Sequence, residues 1–546
     1  MHGCARPRGV PDGAAVAEPQ RRHRDPLLLR QPPDRGAGGP RSVARPRGAR
    51  SGHRRRLRRA HEARRGTQRR VTAIFERDAW ELADGVRAGD HTAKELLEAH
   101  LERIERLNPT LNAVCHLDVD AARARAEQID TEVAAGNDPG PLAGVPVGVK
   151  ELASVEGWPC TDASLVYADR VGAHDDTEVA RVRAAGAVLV GLTTASEFGI
   201  VSFTNTPLHG TTRNPWDTAQ TPGGSSGGSA SAVAAGMLPV CTGGDGGGSI
   251  RIPSSYCGLP GMKTTYGLTG TGPGPASFSQ TSVRGPIVRS VRDAARYLDV
   301  IVGPTLMDPM SHPRPALRFE DAVVSGDAVG ALRGLRVAWS STLGYASTEQ
   351  AVESAVREAA DALIDEAGLE LVELPVELPK PGTSWTVLGT IYEMALHYEH
   401  IRDRVADLDE VARMSVASFE HLKPEILLKA IRGRWATVEA AAAVFSDIDL
   451  LLTPTTPTTA FAAEGALSGT VNGKEVSLMG LSAPFTAPFN LTGQPGCSIP
   501  AGMVNGLPVG LQVVARRHED VQCLAAAAVL EQARPWPKLA PLAYEG

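Results

Sequence analysis

The chain has 546 residues, 42% hydrophobic and 22% charged, with a formal net charge of −6. That length can bury a large core, as one large α/β domain or two smaller ones. No run of about 18 apolar residues occurs, which excludes a membrane span, and scattered cysteines without a CxxC pair argue against a zinc or disulfide framework.

The charge is unevenly distributed. Residues 1–70 carry 20 Arg, no Lys and 5 acidic residues, a net of +15, so the remainder carries −21. A basic arm of this kind suggests nucleic-acid binding, but this one lacks lysine, aromatic residues and any periodic apolar face. Leu27-Leu28-Leu29 is too short for the apolar region of a secretory signal. The Arg/Pro/Gly/Ala mixture is instead what out-of-frame translation of GC-rich DNA gives. The expectation is a disordered, non-native extension with the true start at Val71, followed by one folded domain over 71–540.

Thr92-Ala93-Lys94-Glu95 is a capping box, and Leu97, Leu101, Ile104 and Leu107 form an apolar stripe, predicting an amphipathic helix that ends before Pro109. A second helix is expected over 119–135. From Gly144 short β-branched runs alternate with helical patterns. Strands are expected at 145–149, 187–191, 335–339, 369–374, 449–452 and 507–514. Helices are expected at 176–185, 348–367 and 520–532. Such alternation predicts an α/β fold with a large, mostly parallel, twisted mixed sheet covered by helices on both faces. Residues 380–445 read as a mainly helical region carrying Trp385, Tyr392, Tyr398 and Trp435.

The most informative stretch runs from Gly223-Gly224-Ser225-Ser226-Gly227-Gly228 to Asp245-Gly246-Gly247-Gly248-Ser249-Ile250-Arg251-Ile252-Pro253. Alone, GGSSGG reads as a flexible linker. Here it leads into a small-residue helix at 230–236 and then a second glycine cluster, which a linker does not. Consecutive glycines let backbone N–H groups converge on one point and form an anion-binding nest. Beside a nucleophile, such a nest is an oxyanion hole, and Ser249 stands at its end. Asp245 and Arg251 bracket the loop and can pair to fix it, a structural role. A serine nucleophile needs a base, and none of the histidines sits in a recognisable triad motif. Lys150 ends the apolar run 144–149, where lost hydration lowers its pKa, although most lysines at strand ends simply reach solvent.

The stretch from Gly223 to Pro253 resembles the signature of the amidase signature family. The resemblance spans most of 75–535, including "AGVPVGVKE", "GTTRNPWD", "DLLLTPTTP" and "PFNLTGQPGCSIPAG". It implies that Ser249 is the nucleophile, Ser225 a bridging serine after a cis peptide, and Lys150 the base. It further implies that Gly246, Gly247, Gly248 and Ser249 supply oxyanion-hole amides, with Ser226, Asp245 and Arg251 in support. No metal or organic cofactor is implied. The sequence departs from many members at Gly244, where they carry Ser or Thr, and at Cys241, which is not a nucleophile on spacing.

The expected activity is amide-bond hydrolysis by a Ser–cisSer–Lys triad. The blocks look closest to bacterial stand-alone amidases, including those resembling 6-aminohexanoate cyclic-dimer hydrolases. The alternatives are the A subunit of a glutamyl-tRNA amidotransferase, or an esterase on the same scaffold. Against the amidotransferase, Lys150-Glu151-Leu152-Ala153 stands where its A subunit typically has KDNI. Region 380–445 and the loops near 257–262 are expected to shape the pocket. The expected partners are a small-molecule amide and, at most, a second copy of the chain in a homodimer, with no nucleic acid and no membrane. The expected compartment is the cytoplasm.

Overall fold

Residues 73–274 and 280–545 are described by the computed structural model; the Arg-rich segment, and with it the expectations about its order and origin, lies outside the described residues. The centre of the fold is an 11-stranded sheet. In chain order its strands are β1 (Val114–Leu117), β2 (Pro146–Lys150), β3 (Val188–Thr193), β4 (Val240–Asp245), β5 (Gly261–Lys263) and β6 (Val283–Ile287). They continue with β7 (Arg336–Trp339), β8 (Glu370–Leu371), β9 (Leu450–Pro454), β10 (Gly496–Val504) and β11 (Leu507–Ala515). Across the sheet they run β1-β3-β2-β4-β6-β5-β10-β11-β9-β7-β8.

The expected mixed α/β sheet is present, but parallel pairing is less dominant than the alternation suggests. β3, β2 and β4 are mutually parallel, as are β9, β7 and β8. Between these two groups, pairing from β4 through β6, β5, β10 and β11 to β9 is antiparallel. Every residue of β2, β3, β4, β9 and β11 is buried, as expected of strands covered on both faces. β10 and β11 form a hairpin turning at Asn505 and Gly506, both with positive φ, the chemistry such a turn requires.

The covering helices follow their capping signals. Thr92 accepts from the Glu95 amide and starts Ala93–Leu111. That helix continues past the predicted stop: Pro109 lies in its last turn, and Asn112 caps it in the left-handed region. Gln350–Ala367, closed by Gly368, packs against Asp520–Ala533 and the β10–β11 hairpin. The predicted strand at 369–374 contracts to Glu370–Leu371, because β8 is the sheet's edge and pairs only with the start of β7. Region 380–445 is helical as expected, in segments Gly382–Trp385, Thr386–Ile391 (a π-helical turn), Tyr392–Ile401, Glu410–Glu420 and Pro424–Asp447. Among the described residues no helix is long and apolar enough to cross a membrane.

Candidate active site

β2 and β4 are parallel neighbours, and their carboxyl ends deliver Lys150 and Asp245 to the same side of the sheet. Ligand sites of α/β sheets gather at such ends. The Lys150 backbone is fixed by donating to Thr242 Oγ1 on β4 at 2.8 Å. Its Nζ donates to Ser225 Oγ and to Ser226 Oγ, both at 2.8 Å. The Gly224–Ser225 peptide is cis, and Ser226 precedes the helix Gly227–Ala234. Ser226 Oγ also lies 3.4 Å from both the amide and the carbonyl oxygen of Gly244.

Lys150 is 2% exposed. Burial, reinforced by the nearby Arg284 guanidinium, pushes its pKa down to about 7 against the pull of Asp245, Glu151 and Glu178. A substantial fraction of the amine is therefore unprotonated at neutral pH and can accept a proton from a hydroxyl.

The loop from Asp245 to Arg251 is organised around the Asp245 carboxylate. Arg251 donates to it through Nε and Nη2, both at 2.9 Å, and neither side chain has exposed surface. Asn490 Nδ2 adds a bond at 2.9 Å. Burial alone would raise the Asp245 carboxyl, but Arg251, Lys263 and Asn490 hold it well below the usual carboxylate range. The rest of the Arg251 guanidinium is satisfied by the Thr486 carbonyl, Gln512 Oε1 and Asn490 Oδ1. This fully bonded pair holds the loop, and removing one partner would strand a buried charge.

The same carboxylate corrects one expectation. The Gly248 amide donates to Asp245 Oδ1 at 2.7 Å, so it is not directed at a substrate. The amides of Ile250 and Arg251 also turn to Asp245. Gly248 is needed for another reason: its φ is +133°, and a Cβ there would lie 2.4 Å from Thr486 Oγ1. Of the predicted oxyanion donors, Gly246, Gly247 and Ser249 remain. Ser249 is partly exposed, and among the described residues its hydroxyl makes no hydrogen bond. The structure thus joins Lys150 to Ser225 directly and leaves Ser249 Oγ open on the cavity side.

Two cavities meet along Gly199, Ile200, Gly247, Trp385 and Thr390. The larger, about 500 Å³, contains Lys150 and Ser225 and is the more polar of the two, its walls mixing Asp162, Arg170, His174, Asp176, Arg284 and Glu393 with apolar residues such as Leu152, Val171 and Phe198. The smaller, about 350 Å³, contains Ser249 and is largely apolar, with walls including Ile252, Ile391, Val411, Met414, Leu478 and Met479. Trp385 lies between them. Its Nε1 donates to the Gly246 carbonyl at 2.9 Å, and its ring occupies the space where a Cβ of residue 247 would be.

Region 380–445 therefore does line the pocket, through Trp385 and its neighbours. Tyr392 and Tyr398 line neither cavity; Tyr398 instead bonds Glu420 and packs on Phe419. Residues 257–262 line neither cavity either, because Cys257 and Met262 are buried in the core. Sequence reasoning missed Thr242, Arg284, Thr486, Asn490 and Gln512. Thr242 and Asn490 lay in stretches already marked by the resemblance, and nothing local assigned either a partner.

The Amidase family profile matches residues 95–524. The acylamidase of Rhodococcus erythropolis is 33% identical over 471 residues, covering 85% of this chain and 96% of that protein. The glutamyl-tRNA(Gln) amidotransferase of Roseiflexus sp. (strain RS-1) has an A subunit that is 34% identical over 498 residues, covering 85% and 98%. Among solved structures, a bacterial aryl acylamidase of the amidase signature family superposes with a TM-score of 0.79 at 29% identity, covering 85% of this chain and 98% of that one. A substrate complex of 6-aminohexanoate cyclic dimer hydrolase superposes with a TM-score of 0.74 at 28% identity, over 85% and 98%.

Proposed function

The chain belongs to the amidase family, and from that premise we propose that it hydrolyses carboxylic amides through an acyl-enzyme on Ser249. The observation that carries the relay is Lys150 Nζ, buried and 2.8 Å from Ser225 Oγ, with its pKa brought down to about 7. Neutral Lys150 takes the Ser225 proton as Ser225 takes the proton of Ser249. Ser249 Oγ adds to the amide carbon, and the carbonyl oxygen gains negative charge against the amides of Gly246, Gly247 and Ser249. As the tetrahedral intermediate collapses, Ser225 returns a proton to the amine nitrogen, Lys150 re-protonates Ser225, and the C–N bond breaks. Water then repeats the additions on the ester, releasing carboxylate and free Ser249.

The two cavities support a reading of how the two halves of the substrate lie. The leaving nitrogen must face Ser225, which protonates it, and Ser225 opens into the more polar cavity. The acyl group then extends along the Ser249 side, into the apolar cavity. The preferred substrate is an amide with an apolar acyl group and a more polar amine. A stand-alone amidase is favoured over an amidotransferase component because Lys150 is followed by Glu151-Leu152-Ala153 and not by Asp-Asn-Ile. The six cysteines of the described residues are free, which supports a reducing compartment such as the cytoplasm.

The test combines a fluorophosphonate probe with a panel of anilides and ω-amino-acyl amides of increasing acyl length. The purified chain alone is expected to be labelled on Ser249 and to show kcat/KM rising with acyl apolarity. Absence of label from folded protein would remove the hydrolase reading. Turnover of glutamine only with partner subunits present would transfer the chain to the amidotransferase class.

A further inference from the structure

Outside both cavities, immediately beyond Lys150, lies a group of side chains that the proposed reaction does not use. Glu151 is buried, its side chain 1% exposed. One carboxylate oxygen, Oε1, accepts from the Ala195 amide at 2.8 Å. The other, Oε2, faces Thr161 Oγ1 at 3.1 Å, His209 Nε2 at 2.7 Å and Cys115 Sγ at 3.8 Å. The sulfur, the imidazole nitrogen and the carboxylate oxygen all lie within 4.8 Å of one another. Among the described residues Glu151 makes no ion pair with a lysine or arginine. Its one ion-pair partner among the described residues is His209, a cation only when protonated, so with a neutral imidazole a bound cation would compensate the buried carboxylate.

We propose that Cys115, Glu151 and His209 form a binding site for a borderline divalent cation such as Zn²⁺, with water as the fourth ligand. Thiolate, imidazole and carboxylate together suit zinc-like ions, whereas magnesium and calcium take oxygen ligands. The three ligands come from β1, the residue after β2, and the hairpin formed by Asn205–Thr206 and Gly210–Thr211. Two of them are held by their surroundings: the Glu151 amide donates to the Thr193 carbonyl, the His209 amide to Thr206 Oγ1, and Asn112 Nδ2 to the His209 carbonyl. Such outer bonds orient ligands before a metal arrives. His209, 19% exposed, marks the side open to solvent, where the water ligand sits. On binding, the Cys115 S–H proton leaves to solvent as the sulfur–metal bond forms. The Nε2 proton that bonds Glu151 is given up as Nε2 turns to the metal, and the neutral ring, with its one proton on Nδ1, ligates through Nε2. The bound ion joins three separate segments behind the proposed catalytic lysine, and its role is structural.

The experiment titrates the purified full-length chain, freed of metal, with Zn²⁺ by calorimetry and with Cd²⁺ by ultraviolet absorption. One equivalent of each is expected to bind, Cd²⁺ producing a thiolate charge-transfer band and Zn²⁺ raising the melting temperature. Cys115→Ser should abolish the band. His209→Gln should weaken binding by more than the roughly 100-fold typical of losing an outer-shell partner. Cys160→Ser should leave both readouts unchanged. Absence of saturable binding to the folded wild type overturns the proposal without reference to any variant. Binding that survives Cys115→Ser and His209→Gln in folded proteins overturns it as well.

Discussion

Two lysines, Lys150 at the end of β2 and Lys263 at the end of β5, occupy nearly equivalent physical situations. Both are fully buried, and burial together with a nearby arginine, Arg284 for one and Arg251 for the other, brings each pKa down to about 7. Both also feel Asp245. They differ in what the amine touches. Lys150 Nζ meets two hydroxyls, which can give up a proton to it. Lys263 Nζ donates to the carbonyls of Thr264 and Gln494, at 3.0 and 2.6 Å, and a carbonyl has no proton to give. A shifted pKa therefore marks burial, and the partner atoms decide whether the group can do chemistry.

Substitutions test that distinction. Ser249→Ala should reduce kcat on the order of 10⁴-fold or more, with loss of fluorophosphonate labelling. Lys150→Ala should cost roughly 10³-fold or more on an amide and clearly less on the matched ester, because an alcohol leaves without full protonation. Equal losses on amide and ester would sink the proton-return role. Asp245→Asn strands the Arg251 charge and should cost about 3–5 kcal/mol in denaturant unfolding. Lys263→Met leaves two carbonyls unpaired and should cost about 1–3 kcal/mol. It should not abolish the acid limb of the pH–rate profile. An acid limb lost in Lys263→Met but kept in a residually active Lys150 variant would invert the comparison.

The smallest effect concerns pH alone. Lys150 must be neutral to act, so activity should fall as pH drops through about 7. Arg284 disfavours the ammonium, so Arg284→Gln should move that limb to higher pH. A shift to lower pH, read from kcat/KM between pH 5 and 9, would contradict the sign of the interaction.

What could be read from the sequence follows from locality. The helix at Ala93–Leu111 announced itself through Thr92 and Glu95, three residues apart. β11 was visible through Leu507, Val509, Leu511, Val513 and Val514 despite Pro508 and Gly510, whereas its partner β10 has fewer large apolar residues between Gly496, Pro500 and Gly502. The serines, the lysine and the glycine loop stood in recognisable spacing. The diversion of the Gly248 amide to Asp245 was local as well, an aspartate bonding three residues ahead, yet counting glycines as donors concealed it. Trp385, Thr486, Asn490 and Gln512 lie 139 to 261 residues from the loop groups they bond, and no spacing rule reaches that far.

The clamp on Arg251 has a consequence for how the protein is made. Lys150, Ser225 and Ser249 all emerge from the ribosome in the first half of synthesis. The guanidinium that steadies the Ser249 loop finds its remaining acceptors on Thr486, Asn490 and Gln512. A nascent chain halted before Thr486 would contain every atom of the proposed relay and still lack these three acceptors. The proposed site is thus completed late, when the C-terminal hairpin joins the sheet.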